Sequence, residues 1–164
     1  MEKTKLKLHT WPEKILKKKC RKVTVIDDRI RQLLDEMRSV MVINKGVGLA
    51  ANQVGVDLSL IVVDGKDRVF KLINPVIVKK EGRTIFNEGC LSFPEIELEI
   101  KRAKKVWLSA LDEKGEPIEL EADDTLAVIF QHEIDQINGI VFTDRVRFFQ
   151  KIKLRNQLKQ LVKK

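Results

Sequence analysis

The segment that most constrains the fold of this chain is an apolar stretch carrying one histidine and one acid. Its apolar residues recur at helical spacing, as Leu126, Ala127, Ile129, Phe130, Ile134 and Ile137. Asp123-Asp124 would cap the start of this helix and Asn138-Gly139 would end it. His132 and Glu133 stand side by side one turn before its end, and a helix interior rarely holds such a pair without a use for both. We therefore predict a central helix with a chemical role.

The segments around this helix predict an α+β fold. A helix is expected from Asp28 to about residue 44, and β-branched residues favour strands at 58–63 and 69–73. Asn74-Pro75 should break the second strand, which would resume at 76–78. Alternation at 106–110 and 118–122 around a turn predicts a hairpin, and a last helix should span about 148–161. We expect mostly antiparallel sheets packed around the central helix, within one domain spanning 1–164.

Composition narrows the class of protein. The 164 residues are 43% hydrophobic and 34% charged, which is typical of a globular domain. No apolar run reaches the roughly 20 residues of a membrane span, and the first residues lack a signal-peptide core, so a cytoplasmic protein is predicted. The net charge of +8 is concentrated at 14–22 and 151–164. Those lysines form either a solvated face or a surface for a polyanion such as RNA.

Two further segments are unusual. Residues 46–53 (G-V-G-L-A-A-N-Q) concentrate small side chains, which indicates either backbone that a ligand approaches closely or a tight turn packed on the core. Residues 88–92 (E-G-C-L-S) place Cys90 among polar neighbours, where a thiolate could act as nucleophile or metal ligand. A structural role for Cys90 is equally compatible with this segment alone. Cys20 has no such neighbours and is predicted to be packed, with no disulfide between the two cysteines.

The central helix departs from a metal-hydrolase pattern at one position. In H-E-x-x-H, the two histidines share a helix face and bind one divalent ion, and the glutamate works on a water bound to that ion. Here His132 and Glu133 are present, but Gln136 stands where the second histidine belongs. A lone helical histidine is more often a hydrogen-bonded core residue than a ligand. The adjacent Glu133 favours a functional site.

The ordered motifs G-x-G-L-A-A-x-Q, E-G-C-L-S and Q-H-E-x-D-x-x-x-G resemble those of the peptide deformylase family, over nearly the whole chain. The resemblance implies a hydrolase that removes the N-formyl group from the initiator methionine of nascent peptides. The family binds Fe²⁺, with Zn²⁺, Ni²⁺ or Co²⁺ as substitutes, through one cysteine, two histidines and a water. By motif, Cys90 and His132 match two of these ligands, and Gln136 occupies the third position.

The resemblance also implies roles for the remaining residues. Glu133 would take a proton from the attacking water and deliver it to the departing amine, while Gln53 and the Leu91 N–H would hold the oxyanion. Gly48 would let the substrate backbone come close. An apolar pocket for the methionine side chain would be lined by Val47, Phe86, Thr125, Val128 and Ile129. Glu88 and Arg102 are expected to form a structural ion pair.

Gln136 leaves three interpretations open. The chain is an enzyme with an unusual Cys-His-Gln site, or a catalytically impaired protein that binds peptide N-termini without cleaving them, or a chain in which a laboratory substitution replaced the histidine. Since the other motif residues are intact, we favour the enzyme. The expected partners are N-formyl-methionyl peptides and, through the basic C-terminal helix, the ribosome. Neither DNA nor a membrane is an expected partner.

Overall fold

The structure is a computed structural model that describes residues 6–163. These described residues form three α-helices and seven strands. The helices are α1 (Asp28–Ile43), α2 (Asp124–Ile137) and α3 (Phe148–Lys163). The strands are β1 (Gly48–Ala50), β2 (Leu60–Asp64), β3 (Val69–Glu81), β4 (Thr84–Cys90), β5 (Phe93–Arg102), β6 (Lys105–Leu111) and β7 (Pro117–Asp123). Short 3-10 helices occupy Lys14–Lys17, Ala51–Val54 and Phe142–Arg145.

Within residues 6–163, the seven strands form two antiparallel sheets. Five strands pair in the order β1-β2-β3-β6-β7, and β4 pairs with β5 in a separate two-stranded sheet. The larger sheet is covered on both faces, which explains why β2 is an unbroken apolar run. Ile61 and Val63 pack with residues of α2, while the alternate residues Leu60 and Val62 pack with residues of α1.

The smaller sheet and α3 enclose a third apolar cluster. Phe93 and Ile100 of β5 pack there with Phe142 and with Leu154 of α3. Leu154 is the only residue of α3 that is fully buried among those the structure describes, so the helix is attached along a narrow stripe. The result is that α2 lies between the large sheet on one side and the small sheet with its loops on the other.

The predicted α+β class with mostly antiparallel sheets and a C-terminal helix is confirmed. The predicted break at Asn74-Pro75 is wrong, because β3 continues through it. Asn74 adopts a positive φ of 52° and the pairing register shifts between Ile73 and Val76, so a β-bulge accommodates the proline. Asp123 occupies the N-cap of α2, but its side chain makes no capping hydrogen bond.

The β4–β5 hairpin was not anticipated from the sequence. From Ile96 to Ile100 its second strand nevertheless alternates between buried apolar residues and exposed acids, since Ile96, Leu98 and Ile100 are buried and the glutamates between them are not. That period of two was available in the sequence as a strand signal. Within residues 6–163, no helix has the length and apolar character needed to cross a membrane.

Candidate active site

A cavity of about 690 Å³ opens between α2, the β4–β5 hairpin and the loop before β1. Ten of the twelve predicted site residues line it. They are Val47, Gly48, Gln53, Phe86, Cys90, Leu91, Val128, Ile129, His132 and Glu133. The other two lie elsewhere: Thr125 is exposed in the first turn of α2, and Gln136 is buried behind the cavity wall.

His132 lies between two residues of β4. It hydrogen-bonds to the Cys90 thiol, and its Nδ1 is 3.7 Å from Glu88 Oε2. Burial alone lowers the pKa of His132, but the interactions with the neighbouring Cys90 and Glu88 outweigh it and raise that pKa well above its usual value. A histidine ligand is commonly oriented by such a carboxylate on its second ring nitrogen. The structure thus places the His132 imidazole beside the Cys90 thiol, with Glu88 on its Nδ1 side.

The predicted ion pair of Glu88 with Arg102 is present and buried. Arg102 donates through Nε to Glu88 Oε1 at 2.8 Å and through its Nη2 to Oε2 at 2.9 Å. Its remaining Nη1 donates to Asp135 Oδ2 at 2.6 Å, and Arg145 donates to the same carboxylate. Arg102 of β5 therefore links Glu88 of β4 to Asp135 of α2.

Glu133 points into the cavity from α2 and is largely enclosed. Its Oε2 is buried without a hydrogen-bond partner, and burial raises the pKa of this carboxyl to about 7. A methyl group added at Gly48 would lie 2.4 Å from Glu133 Oε1, so the carboxylate fills space that only a glycine leaves open. The glycine that sequence reasoning assigned to substrate approach thus also makes room for the acid.

Gln53 is held so that its amide nitrogen faces the thiol. The backbone N–H of Ala50 donates to Gln53 Oε1 at 2.9 Å, which fixes the orientation of the amide. Gln53 Nε2 then lies 3.1 Å from Ser92 Oγ and 3.5 Å from Cys90 Sγ. The short 3-10 helix at Ala51–Val54 therefore presents an N–H donor to the centre of the site, beside the loop that carries Leu91.

Gln136 is integrated into a network of buried hydrogen bonds. Its side-chain Nε2 donates to the Leu16 backbone carbonyl at 2.8 Å. Its backbone carbonyl accepts a hydrogen bond from Asn52 Nδ2 at 2.7 Å. Asn52 is fully buried and lies within 3.4 Å of the carbonyls of Leu16 and Lys18. Asn52 received no role from the sequence, although a polar residue between alanine and glutamine in a small-residue segment was a signal.

Two side chains that line the cavity, Cys90 and His132, have donor atoms that suit a divalent cation. Thiolate and imidazole are ligands that Fe²⁺ and Zn²⁺ accept, and the unpartnered Glu133 Oε2 is suitably placed for a water in the cavity. Among residues 6–163, no three His, Cys, Asp or Glu side chains are grouped closely enough to hold a metal ion. Gln136, which the sequence motif puts at the third ligand position, is not among the residues that line the cavity.

Comparison with known proteins identifies the family. The sequence model described as "Polypeptide deformylase" matches residues 5–151. The chain belongs to the polypeptide deformylase family. A peptide deformylase of Aquifex aeolicus is 42% identical over 159 residues, covering 93% of this chain and 94% of that protein. One from Acetivibrio thermocellus is 49% identical over 134 residues, covering 82% of this chain and 79% of the relative.

Solved deformylase structures share the fold. The peptide deformylase of Synechococcus elongatus in complex with actinonin has a TM-score of 0.91 at 37% identity, with 98% of this chain and 89% of that one covered. The Legionella pneumophila peptide deformylase has a TM-score of 0.89 at 36% identity, covering 96% and 95%. The family and its fold are thus shared along almost the whole chain, including every element that forms the cavity.

Proposed function

We propose that this chain hydrolyses the N-formyl group of peptides that begin with formyl-methionine, releasing formate and a free amino terminus. The observation that supports this most strongly is the position of Glu133. Its carboxylate is buried with one oxygen unpartnered, on the wall of the cavity that Cys90, His132 and Gln53 also line. A carboxylate kept in that state has a task other than stabilising the fold.

The cation would be held by Cys90, His132 and Gln136, and the family resemblance favours Fe²⁺ with Zn²⁺, Ni²⁺ or Co²⁺ as substitutes. A divalent ion bound there would lower the pKa of a water ligand and polarise the formyl oxygen. The Glu88 carboxylate lies on the Nδ1 side of His132 and would orient the imidazole for binding the cation. Arg102 keeps that carboxylate in place through its two hydrogen bonds.

Glu133 would then move the proton. It would accept one from the water that attacks the formyl carbon and deliver it to the nitrogen as the C–N bond breaks. Negative charge on the formyl oxygen would be stabilised by Gln53 Nε2 and by the Leu91 backbone N–H. The Ala50 N–H that holds Gln53 Oε1 supports this role, because it turns the donor end of the amide toward the site.

The methionine side chain would occupy the apolar part of the cavity. Val128 and Ile129 line it from α2, Phe86 from β4 and Val47 from the loop before β1. Thr125 lies outside this wall, and we assign it no contact. Gly48 would permit close approach of the peptide backbone, as its neighbour Glu133 permits no side chain there.

An anaerobic deformylation assay tests the proposal. Formyl-Met tripeptide would be offered to the chain loaded in turn with Fe²⁺, Co²⁺ and Zn²⁺, with Gln136→His as the positive control. We expect turnover by the unaltered chain that drops by about 10²-fold or more in Glu133→Gln, since general acid–base catalysis typically contributes that much. Turnover only in Gln136→His would contradict hydrolysis by the unaltered chain.

A second candidate is binding of formyl-methionyl ends without cleavage. It is favoured by one observation, the donation from Gln136 Nε2 to the Leu16 carbonyl, because that hydrogen bond gives the glutamine a structural use independent of a cation. Calorimetric titration with formyl-Met tripeptide separates the candidates. Saturable heat with no formate released supports the binder, and formate release at the same concentrations supports the enzyme.

We also propose that the chain acts in the cytoplasm near the ribosome, through α3. The helix is buried only along a narrow stripe around Leu154, among the residues that the structure describes. Its exposed basic side chains are Lys151, Lys153, Arg155, Lys159 and Lys163. Removing α3 would uncover that core, so charge reversal is the cleaner test. Glutamate at Lys153 and Arg155 should abolish salt-sensitive cosedimentation with ribosomes and leave the unfolding free energy unchanged. Unaltered cosedimentation would contradict the proposal.

A further inference from the structure

The mouth of the cavity is formed by the exposed residues among those that line it. They are Asn44, Lys45 and Val47 between α1 and β1, and Asn87, Gly89, Pro94, Glu95 and Glu97 of the β4–β5 hairpin. His132 and Glu133 lie deeper and are buried. A peptide whose formyl group reaches Glu133 has to leave the cavity through this mouth. The side chains that follow methionine therefore pass between the loop and the hairpin.

The hairpin side of this mouth is acidic, although the whole chain has a net charge of +8. Glu95 and Glu97 are the charged residues there, and Lys45 faces the cavity from the other side. In the part of the chain that the structure describes, no lysine or arginine forms an ion pair with Glu97. The negative charge of Glu97 is therefore available to a cation that enters the mouth from outside.

The Glu97 carboxylate is held in position from the neighbouring strand. Asn87 of β4 donates through Nδ2 to Glu97 Oε2 at 2.9 Å, on the exposed face of the hairpin. The residue opposite Glu97 in the strand register is Gly89. A methyl group added at Gly89 would meet nothing closer than the Ile96 carbonyl at 3.8 Å. Open space therefore lies beside a carboxylate that Asn87 keeps at the mouth.

We propose that Glu97 selects peptides that carry lysine or arginine at the second or third position, directly after methionine. The inference rests on the proposed function, since it concerns the peptide that occupies the same cavity. A carboxylate at the mouth attracts an ammonium or guanidinium group and repels another carboxylate. For an exposed pair the attraction changes binding by about 1.5- to 5-fold. Peptides with lysine should therefore rank above those with glutamine, and those with glutamate should rank last.

Rates of formate release from a set of six tripeptide amides test this ranking. Each begins with formyl-methionine and has lysine, glutamine or glutamate at the second or third position, with alanine at the other. The amide removes the terminal carboxylate, which would add a charge of its own. At one of the two positions, kcat/KM for the lysine peptide should exceed that for the glutamate peptide by about 3-fold or more. The difference should shrink in 1 M salt, where charges are screened within about 3 Å.

The chain supplies a matched control for the charge on β5. Glu97→Gln removes the charge and keeps an oxygen for Asn87, so it should bring the three peptides to nearly equal kcat/KM, and Glu97→Lys should reverse their order. Glu99 is also exposed on β5, two residues further along, but does not line the cavity. Glu99→Gln should keep the ranking. If it removes the preference as completely as Glu97→Gln does, Glu97 has no particular part in selection and the proposal fails.

Calorimetric titration with the same peptides separates this proposal from the hydrolase itself. A chain that releases no formate, yet binds the lysine peptide more tightly than the glutamate peptide, would refute the hydrolase and retain selection by Glu97. Equal kcat/KM for all six peptides would retain the hydrolase and overturn selection by Glu97. A chain that binds none of the peptides would refute both.

Discussion

Asn52 and Gln136, 84 residues apart in the chain, are joined by a hydrogen bond from the Asn52 side-chain amide to the Gln136 carbonyl. The contact ties the 3-10 helix at Ala51–Val54 to the last turn of α2. The same amide faces the carbonyls of Leu16 and Lys18, so three segments meet at one buried side chain. The geometry of the cavity wall depends on this junction.

Asn52→Ala should therefore destabilise the chain. Removing the amide deletes a buried hydrogen bond to the Gln136 backbone carbonyl, which still accepts from the Gly139 N–H at 3.0 Å, and one such bond contributes about 0.5–1.5 kcal/mol. Urea denaturation followed by circular dichroism measures the loss. Asn44→Ala is the control, since Asn44 is exposed and its side chain bonds only the carbonyl of Val40. Equal losses in the two variants would contradict a special role for Asn52.

Gly48→Ala should displace Glu133. The added methyl would lie 2.4 Å from Glu133 Oε1, and such overpacking typically costs about 1–3 kcal/mol. We expect both a lower unfolding free energy and lower formate release. Gly89→Ala is the steric control, because its methyl would meet nothing nearer than the Ile96 carbonyl at 3.8 Å. If Gly48→Ala is as stable as Gly89→Ala, Glu133 does not pack closely against Gly48 and this prediction is wrong.

The two cysteines should react very differently with thiol reagents. Burial, with the Asp57 charge as a second cause, raises the pKa of the Cys20 thiol to about 11, so at pH 8 only about one thousandth of it is thiolate. Ellman's reagent should label one thiol in the native metal-free chain at pH 8, and two after unfolding. Native Cys90→Ser should show almost no labelling until the pH is raised toward 11. Rapid labelling of that variant at pH 8 would refute the assignment.

Arg102→Met should be among the most damaging substitutions. It leaves Glu88 as a buried carboxylate without its guanidinium partner, and breaking such a pair commonly costs about 3–5 kcal/mol. Combining it with Glu88→Gln should cost less than the sum of the single losses, because the uncompensated charge is then absent. Glu81→Gln, at an exposed contact with Lys79, should change the unfolding free energy very little. Additive losses would mean that the two side chains act independently.

The sequence was informative where periodicity was strong. The apolar spacing of α1 and α2, the hairpin of β6 and β7 and the stop at Gly139 were all predictable, because each depends on residues close together in the chain. The β5 strand of the β4–β5 hairpin has alternating apolar and acidic residues, which is also a local signal for a strand. The bulge at Asn74 was not predictable, since the asparagine side chain is held by Val23, 51 residues away.

For the site, motifs indicated which residues matter but not how they are held. Cys90, His132 and Glu133 line one cavity, as the motif order suggested. The partners of Gln136 are a backbone carbonyl and an unassigned asparagine, and neither has a side-chain signature that a spacing pattern detects. Thr125 was expected in the cavity because it precedes Val128 on α2, but the exposed first turn of that helix lies beyond the cavity wall.

The acceptor for the Gln136 amide is a backbone carbonyl, that of Leu16, so this acceptor stays in the protein whichever residue occupies position 136. Glutamine and histidine codons differ only in their third base. A single nucleotide change therefore exchanges the two side chains without requiring a compensating mutation at Leu16, whose side chain takes no part. Position 136 is therefore one mutational step from the second histidine of the H-E-x-x-H pattern, with no change required in the surrounding protein.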